Sequence, residues 1–209
     1  GPTRDLHSGH FGGAVANPIN TLCSMLAQVI GEDGHITIPH FYDDVEEVPA
    51  AEREMIAQIP FDEKKYMEAI GVKALKGEKG YSTLERNSCR PSFDICGIWG
   101  GYTDEGSKTV LPSKAYAKVS CRLVPHQNHA VISQLFVDYI QSIAPEYVQV
   151  KVTPMHGGEG YVCPITLPAY QAAEKGFAKA FGKKPLAVRR GGSIPIISDF
   201  EQILGIKTV

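Results

Sequence analysis

The sequence predicts an α+β fold. It reads as a split βαβ, ferredoxin-like two-layer sandwich, with an antiparallel sheet and helices on one face, followed by an α/β segment. Three observations carry that reading. Along residues 114–123, Ala115, Ala117, Val119, Cys121 and Leu123 share one face, while Lys114, Tyr116, Lys118, Ser120 and Arg122 share the other. That alternation belongs to a strand with one core-facing and one wet surface. Asn128 then caps a helix with Ile132, Leu135, Phe136, Tyr139, Ile140 and Ile143 on its apolar stripe. After Pro154 the glycine-rich stretch MHGGEGYVCP breaks the pattern, and helical and extended runs of α/β character follow.

Each remaining element has its own signal. DLHSGHFGG, at residues 5–13, gathers two histidines, a serine and three glycines ahead of any helical period. Asn17-Pro18 starts a helix, a capping side chain followed by proline at the first helical position, and Ile19, Leu22, Leu26, Val29 and Ile30 keep helical spacing to Gly31. Residues 31–48 read as loop. A short helix is predicted from Pro49 to Ile59, and another capped by Asp62 through Ile70. Residues 71–90 show no clean period and are predicted to run over the surface. Phe93 to Trp99 and Tyr147 to Thr153 are candidate strands, the latter through Val148, Val150 and Val152. Pro168 to Phe181 is a helix stopped by Gly182, and LAVRRGGSIPIISDFEQILGIKTV reads as strand, glycine turn, helix and the start of another strand. The sandwich needs one more strand, expected before Gly1, and both ends of the sequence read as cut.

Composition narrows the function. Net charge is -2 and the isoelectric point is near 6.4. With no basic stripe to neutralise phosphates, nucleic acid is not an expected partner. No apolar run approaches a membrane span, so no membrane partner is expected either. The five cysteines, Cys23, Cys89, Cys96, Cys121 and Cys163, are odd in number and lack Cys-x-x-Cys spacing, which reads as reduced thiols in a cytoplasmic protein. Glu46-Glu47 and the group His40, Asp43 and Asp44 read as solvated loop residues. No nucleophile elbow occurs.

The residues with chemistry are few. His7 sits among glycines that permit close approach to a ligand or a second chain. Arg122, on the wet face of its strand, offers the paired donors of a carboxylate clamp, or is a salt-bridged surface arginine. His156 precedes Gly157-Gly158. Ser193 follows Gly191-Gly192 in RRGGSIP, where backbone N–H groups, a hydroxyl and a helix N-terminus suit an anion, with Arg189 and Arg190 adding charge; a plain capped turn is the other reading.

Taken together, GPTRDLHSGHFGGAVANP, GSKTVLPSKAYAKVSCRLVP, HGGEGYV and RRGGSIPIISDF closely resemble the zinc-dependent aminoacylase and carboxypeptidase-like metallopeptidases, in the branch of carnosinase and the cytosolic nonspecific dipeptidases. The resemblance covers nearly the whole chain in order. It implies a lid and dimerisation domain over residues 1–154 and a partial α/β catalytic domain over residues 155–209. It implies a parent that holds two zinc ions, forms a homodimer through its lid and hydrolyses dipeptides or related amides with a free carboxylate.

Site roles follow from the same resemblance. His7 matches a histidine that reaches into the partner subunit's site and stabilises an oxyanion. Thr109 and Arg122 match residues that hold the substrate's terminal carboxylate or neighbouring polar atoms. His156 and Ser193 match residues on the substrate's other flank. The family's zinc-ligand motifs are absent from these 209 residues, so no metal ligands and no zinc are expected in this chain, and it is expected to be inactive alone. The alternative is a non-catalytic ferredoxin-like module that dimerises or binds a small anion.

Overall fold

The computed structural model describes residues 1–190, 194 and 196–209. It is mixed α/β, with four strands and eight helices among the described residues. The strands form two two-stranded antiparallel sheets, β1 (Leu6–His7) with β3 (Val110–Leu111) and β2 (Ser92–Gly100) with β4 (Ala115–Arg122). Two compact units alternate along the chain. One is built from Gly1–Tyr42, Ser92–Arg122 and Val131–Met155; the other from Asp43–Pro91, Leu123–Ala130 and His156–Val209.

In the first unit, the helix announced by Asn17-Pro18 is α2 (Pro18–Ala27), and the Asn17 side chain accepts the Ile19 N–H at 2.9 Å. Such a cap contributes about 1 kcal/mol. The helix ends four residues before Gly31, because the chain turns at Gln28 to make the Ile30–Ile36 bridge. α2 packs on β4. The predicted alternation of β4 holds: Tyr116, Lys118 and Arg122 are exposed, and Ala115, Ala117, Val119 and Cys121 are half-buried. Helix α6 (His129–Ser142) begins after Asn128, whose Oδ1 accepts the Ala130 N–H at 2.9 Å, and its Phe136 ring lies 5.9 Å from Phe93 of β2. Met25, Leu26, Val29, Ile36, Ile38, Phe41, Leu111, Ile132 and Ile140 fill the core of this unit with Phe93. Between Ile95 and Gly97 the β2–β4 register slips by one residue, leaving Cys96 as a bulge with its Sγ 3.1 Å from Ser120 Oγ.

In the second unit, α3 (Ala50–Ala57) and α4 (Glu63–Ile70) match expectation, the latter capped by Asp62 and stopped by Gly71 at φ +72°. The segment 71–90 does not wander. Ser82 and Glu85 form a capping box at α5 (Thr83–Arg86). The buried Glu85 also accepts from Arg53 Nε of α3 at 2.5 Å. Burial pushes the Glu85 carboxyl up, but the Arg53 bond and the Ser82 backbone and hydroxyl outweigh it and hold it below the usual range. Arg90, equally buried, donates twice to Glu78, at 2.7 and 2.8 Å, with its guanidinium 4.3 Å from the Tyr81 ring centre. α7 (Pro168–Phe181) starts on its proline and ends on Gly182 at φ +68°, and α8 (Ile196–Leu204) follows.

Three strands expected from the sequence are not formed. Residues 147–153, 186–190 and 205–209 make no ladder among the described residues, although Val148, Val150 and Val152 remain half-buried. Alternation records a burial preference; a strand also needs a partner backbone. Residues 155–209 therefore contribute two helices and no sheet among their described residues, in place of the expected α/β pattern.

All five cysteines are free. Burial, with Asp94 adding to it, pushes the Cys121 thiol up to about 11, and burial likewise raises Cys89. Cys23 and Cys96 are exposed. Alkylation at pH 8, followed by peptide mass spectrometry, is expected to label Cys23 and Cys96 first. The thiolate fraction at Cys121 should be lower than at an ordinary thiol by a factor on the order of 100.

Candidate functional site

The site is built around the DLHSG turn. β1 is two residues long, too short to persist without external ties. It is tied at three points. Leu6 and His7 lie opposite Leu111 and Val110. The Ser8 N–H donates to the Thr109 carbonyl at 3.1 Å. At the other end, Asp5 Oδ1 accepts the Ser113 N–H at 2.8 Å. The Ser113 backbone N–H, then its side chain and, more weakly, Lys108 hold the Asp5 carboxyl below its ordinary range.

After His7 the chain makes one helical turn, α1 (Ser8–Phe11), closed by Gly12 and by Gly13 at φ +83°. His7 caps this turn with its own imidazole: Nδ1 accepts the Gly9 N–H at 3.0 Å. Nε2 lies 3.0 Å from Thr109 Oγ1. His7 and Thr109, 102 residues apart in sequence and both exposed, are thus in direct contact. The His10 ring sits 5.0 Å from that of His7, centre to centre. A groove of about 610 Å³ opens beside the turn, lined by Ser8, Gly13, Asn17, Asn20, Leu111 and Tyr147.

Arg122 is the last residue of β4, exposed and opposite Ser92, on the second two-stranded sheet. His156 is exposed, on the connector of the other compact unit. That connector is pinned close to it. Glu159 accepts from Asn128 Nδ2 at 2.9 Å and from Gln202, and a Cβ on Gly157 would fall 2.6 Å from the His129 ring. Ser193 lies outside the described residues. Arg189, expected to add charge to an anion site there, bonds Glu52 at 2.5 and 2.8 Å instead.

Sequence reasoning missed Asp5 and Glu159 as supports. Asp5 stands inside the quoted motif, but its partner is 108 residues away and no spacing rule reaches that far. The Ser82-x-x-Glu85 pattern, by contrast, was a readable helix-start signal. Among the described residues, no three His, Cys, Asp or Glu side chains converge into a group able to hold a metal ion. These residues therefore do not by themselves fit a pair of zinc ions.

Known proteins resemble this chain in sequence and backbone. Residues 2–148 match the family described as peptidase dimerisation domain, of M20 peptidases. The Cys-Gly metallodipeptidase dug1 of Schizosaccharomyces pombe is 30% identical over 207 residues, covering 98% of this chain and 44% of the relative. The human Beta-Ala-His dipeptidase is 30% identical over 206 residues, covering 96% and 40%. The M20 family metallo-carboxypeptidase Sso-CP2 of Sulfolobus solfataricus superposes with a TM-score of 0.86 at 28% identity, over 99% of this chain and 46% of that one. The chain thus spans less than half the length of the relatives it matches.

Asp5 supplies a direct test of how the turn is held. A carboxyl lowered by folding stabilises the folded arrangement above its unfolded range, and that contribution is lost as pH falls through the lowered value. Asp5→Ala is expected to speed hydrogen exchange at the Ser8 amide, measured by NMR. Acidification of the unsubstituted chain should do the same, while the amides of α2 stay protected. The match over residues 2–148 and the agreement of the backbone lead to one conclusion: this chain belongs to the peptidase dimerisation-domain family of the M20 metallopeptidases.

Proposed function

We propose that the chain is the lid and dimerisation part, residues 1–154, with a portion of the catalytic domain, residues 155–209, of a metallopeptidase that cleaves dipeptides or related amides bearing a free carboxylate. The observation that carries this is the exposed His7–Thr109 pair on a tied glycine turn beside an open groove. Relatives named Cys-Gly metallodipeptidase and Beta-Ala-His dipeptidase support the substrate class.

In this reading the metal chemistry belongs to two zinc ions held by side chains of the parent outside this chain. What this chain supplies is charge stabilisation and positioning. His7 of one subunit donates a hydrogen bond to the oxygen that becomes anionic in the partner's site. Thr109 and Arg122 take the terminal carboxylate, Arg122 through its planar fork. His156 and Ser193 contact the other flank of the substrate. The lid is a ferredoxin-like sandwich. Closing it brings His7 in and shuts water out. The chain alone is inactive, the parent forms a homodimer through the lid, and the free cysteines suit the cytoplasm.

The test is hydrolysis of Cys-Gly and β-Ala-His by the full-length parent and by this chain, each with added zinc. The parent is expected to turn over and the chain is not. In the parent, His7→Ala should lower kcat by about 100- to 1000-fold with little change in KM. Arg122→Ala should raise KM by about 10- to 100-fold and abolish the preference for a free carboxylate over its amide. Turnover by the chain alone would sink the proposal. Flanking parent sequence without metal-ligand motifs would favour the non-catalytic dimerising or anion-binding module instead.

A further inference from the structure

The bond between the His7 ring and the Gly9 N–H sets which nitrogen of the ring can donate. A backbone amide hydrogen points at Nδ1 from 3.0 Å, so Nδ1 presents its lone pair. In the neutral ring the proton is then on Nε2, and Nε2 donates to Thr109 Oγ1 at 3.0 Å. A proton on Nδ1 would face the Gly9 N–H head on. The same residue also makes room for the ring. A Cβ on Gly9 would sit 2.9 Å from His7 Cε1 and 3.0 Å from Nδ1, below and at the edge of what real Cβ contacts tolerate. The backbone on either side cannot easily move to relieve this, because Ser8 is bonded to Thr109 and the Ser8 carbonyl accepts the Gly12 N–H at 2.8 Å.

We infer that Gly9 is a positioning residue for His7: its N–H fixes the Nε2–H tautomer, and its lack of a side chain lets the imidazole lie where Nε2 meets Thr109. This rests on the reading of His7 as an oxyanion donor, in which the Nε2–H that rests on Thr109 Oγ1 passes to the oxyanion when substrate binds, and it adds the means by which the donor is oriented. Oxyanion stabilisation needs an N–H aimed from a fixed place. A histidine free to choose tautomers supplies that N–H only part of the time.

Two measurements separate the inference from the reading beneath it. The first uses this chain, with no catalysis involved. Long-range proton–nitrogen NMR of the neutral His7 ring should show Nε2 protonated and Nδ1 bare. Gly9→Ala should shift both nitrogens toward the values of a ring exchanging between tautomers, while Gly176→Ala, with open space around it in α7, leaves them unchanged. A neutral ring protonated on Nδ1, or a His7 signal unmoved by Gly9→Ala, overturns the inference whatever the activity. The second uses the full-length parent. Gly9→Ala should lower kcat by about 100-fold with KM held, and should have no further effect in a His7→Ala background. If Gly9→Ala shifts the ring nitrogens yet the parent with His7→Ala keeps full activity, Gly9's hold on the ring stands and the catalytic reading of His7 is what fails.

Discussion

The imidazole of His7 is held at both of its nitrogens, by a backbone amide two residues ahead and by a hydroxyl from the far side of the chain. Much of the first unit's architecture around the turn serves that contact. The β1–β3 pair is only two residues deep, so it adds little to global stability, but it fixes the register that brings Thr109 to His7. The Asp5 carboxylate and the Ser8 amide keep the pair from fraying. One side chain is thus placed by three short-range ties, each modest in energy and together geometrically restrictive.

Elsewhere the chain relies on different forces. The first unit has an ordinary apolar core, with Val29 and Phe41 essentially inaccessible and helices α2 and α6 touching the β2–β4 sheet. The second unit buries charge: Glu85 and Arg90 are both buried, and each is held in an ion pair. Paired buried charges are weak contributors to net stability, yet removing one partner is expensive, so such clusters fix one arrangement against others.

The helices were the most legible part of the sequence. Asn17-Pro18, Asp62, Asn128, Pro168 and Gly182 mark helix ends through local chemistry, and local chemistry is what a sequence displays. The alternation of β4 was equally plain, because one face meets α2 and the other meets water. The strands expected near Val150 and Val188 failed for the opposite reason: pairing is a property of two segments, and the second is not written in the first. The site divided the same way. His7 stood out by its glycines, but its contact with Thr109 spans 102 residues and no periodicity reports it; the resemblance to a known family named both residues without showing that they touch. Arg189 pointed toward an anion, and the fold turned it to Glu52, a partner 137 residues earlier.

The alternation of the two compact units along the chain has a practical corollary. The backbone passes from one to the other five times, at residues 42–43, 91–92, 122–123, 130–131 and 155–156. Neither unit is therefore a contiguous stretch that can be excised and expressed by itself, and a single proteolytic nick between residues 44 and 154 leaves pieces that each hold parts of both. Insertions and fusions fare best at exposed positions within one segment, such as the turn around Asp104 to Gly106, rather than at a supposed border between halves.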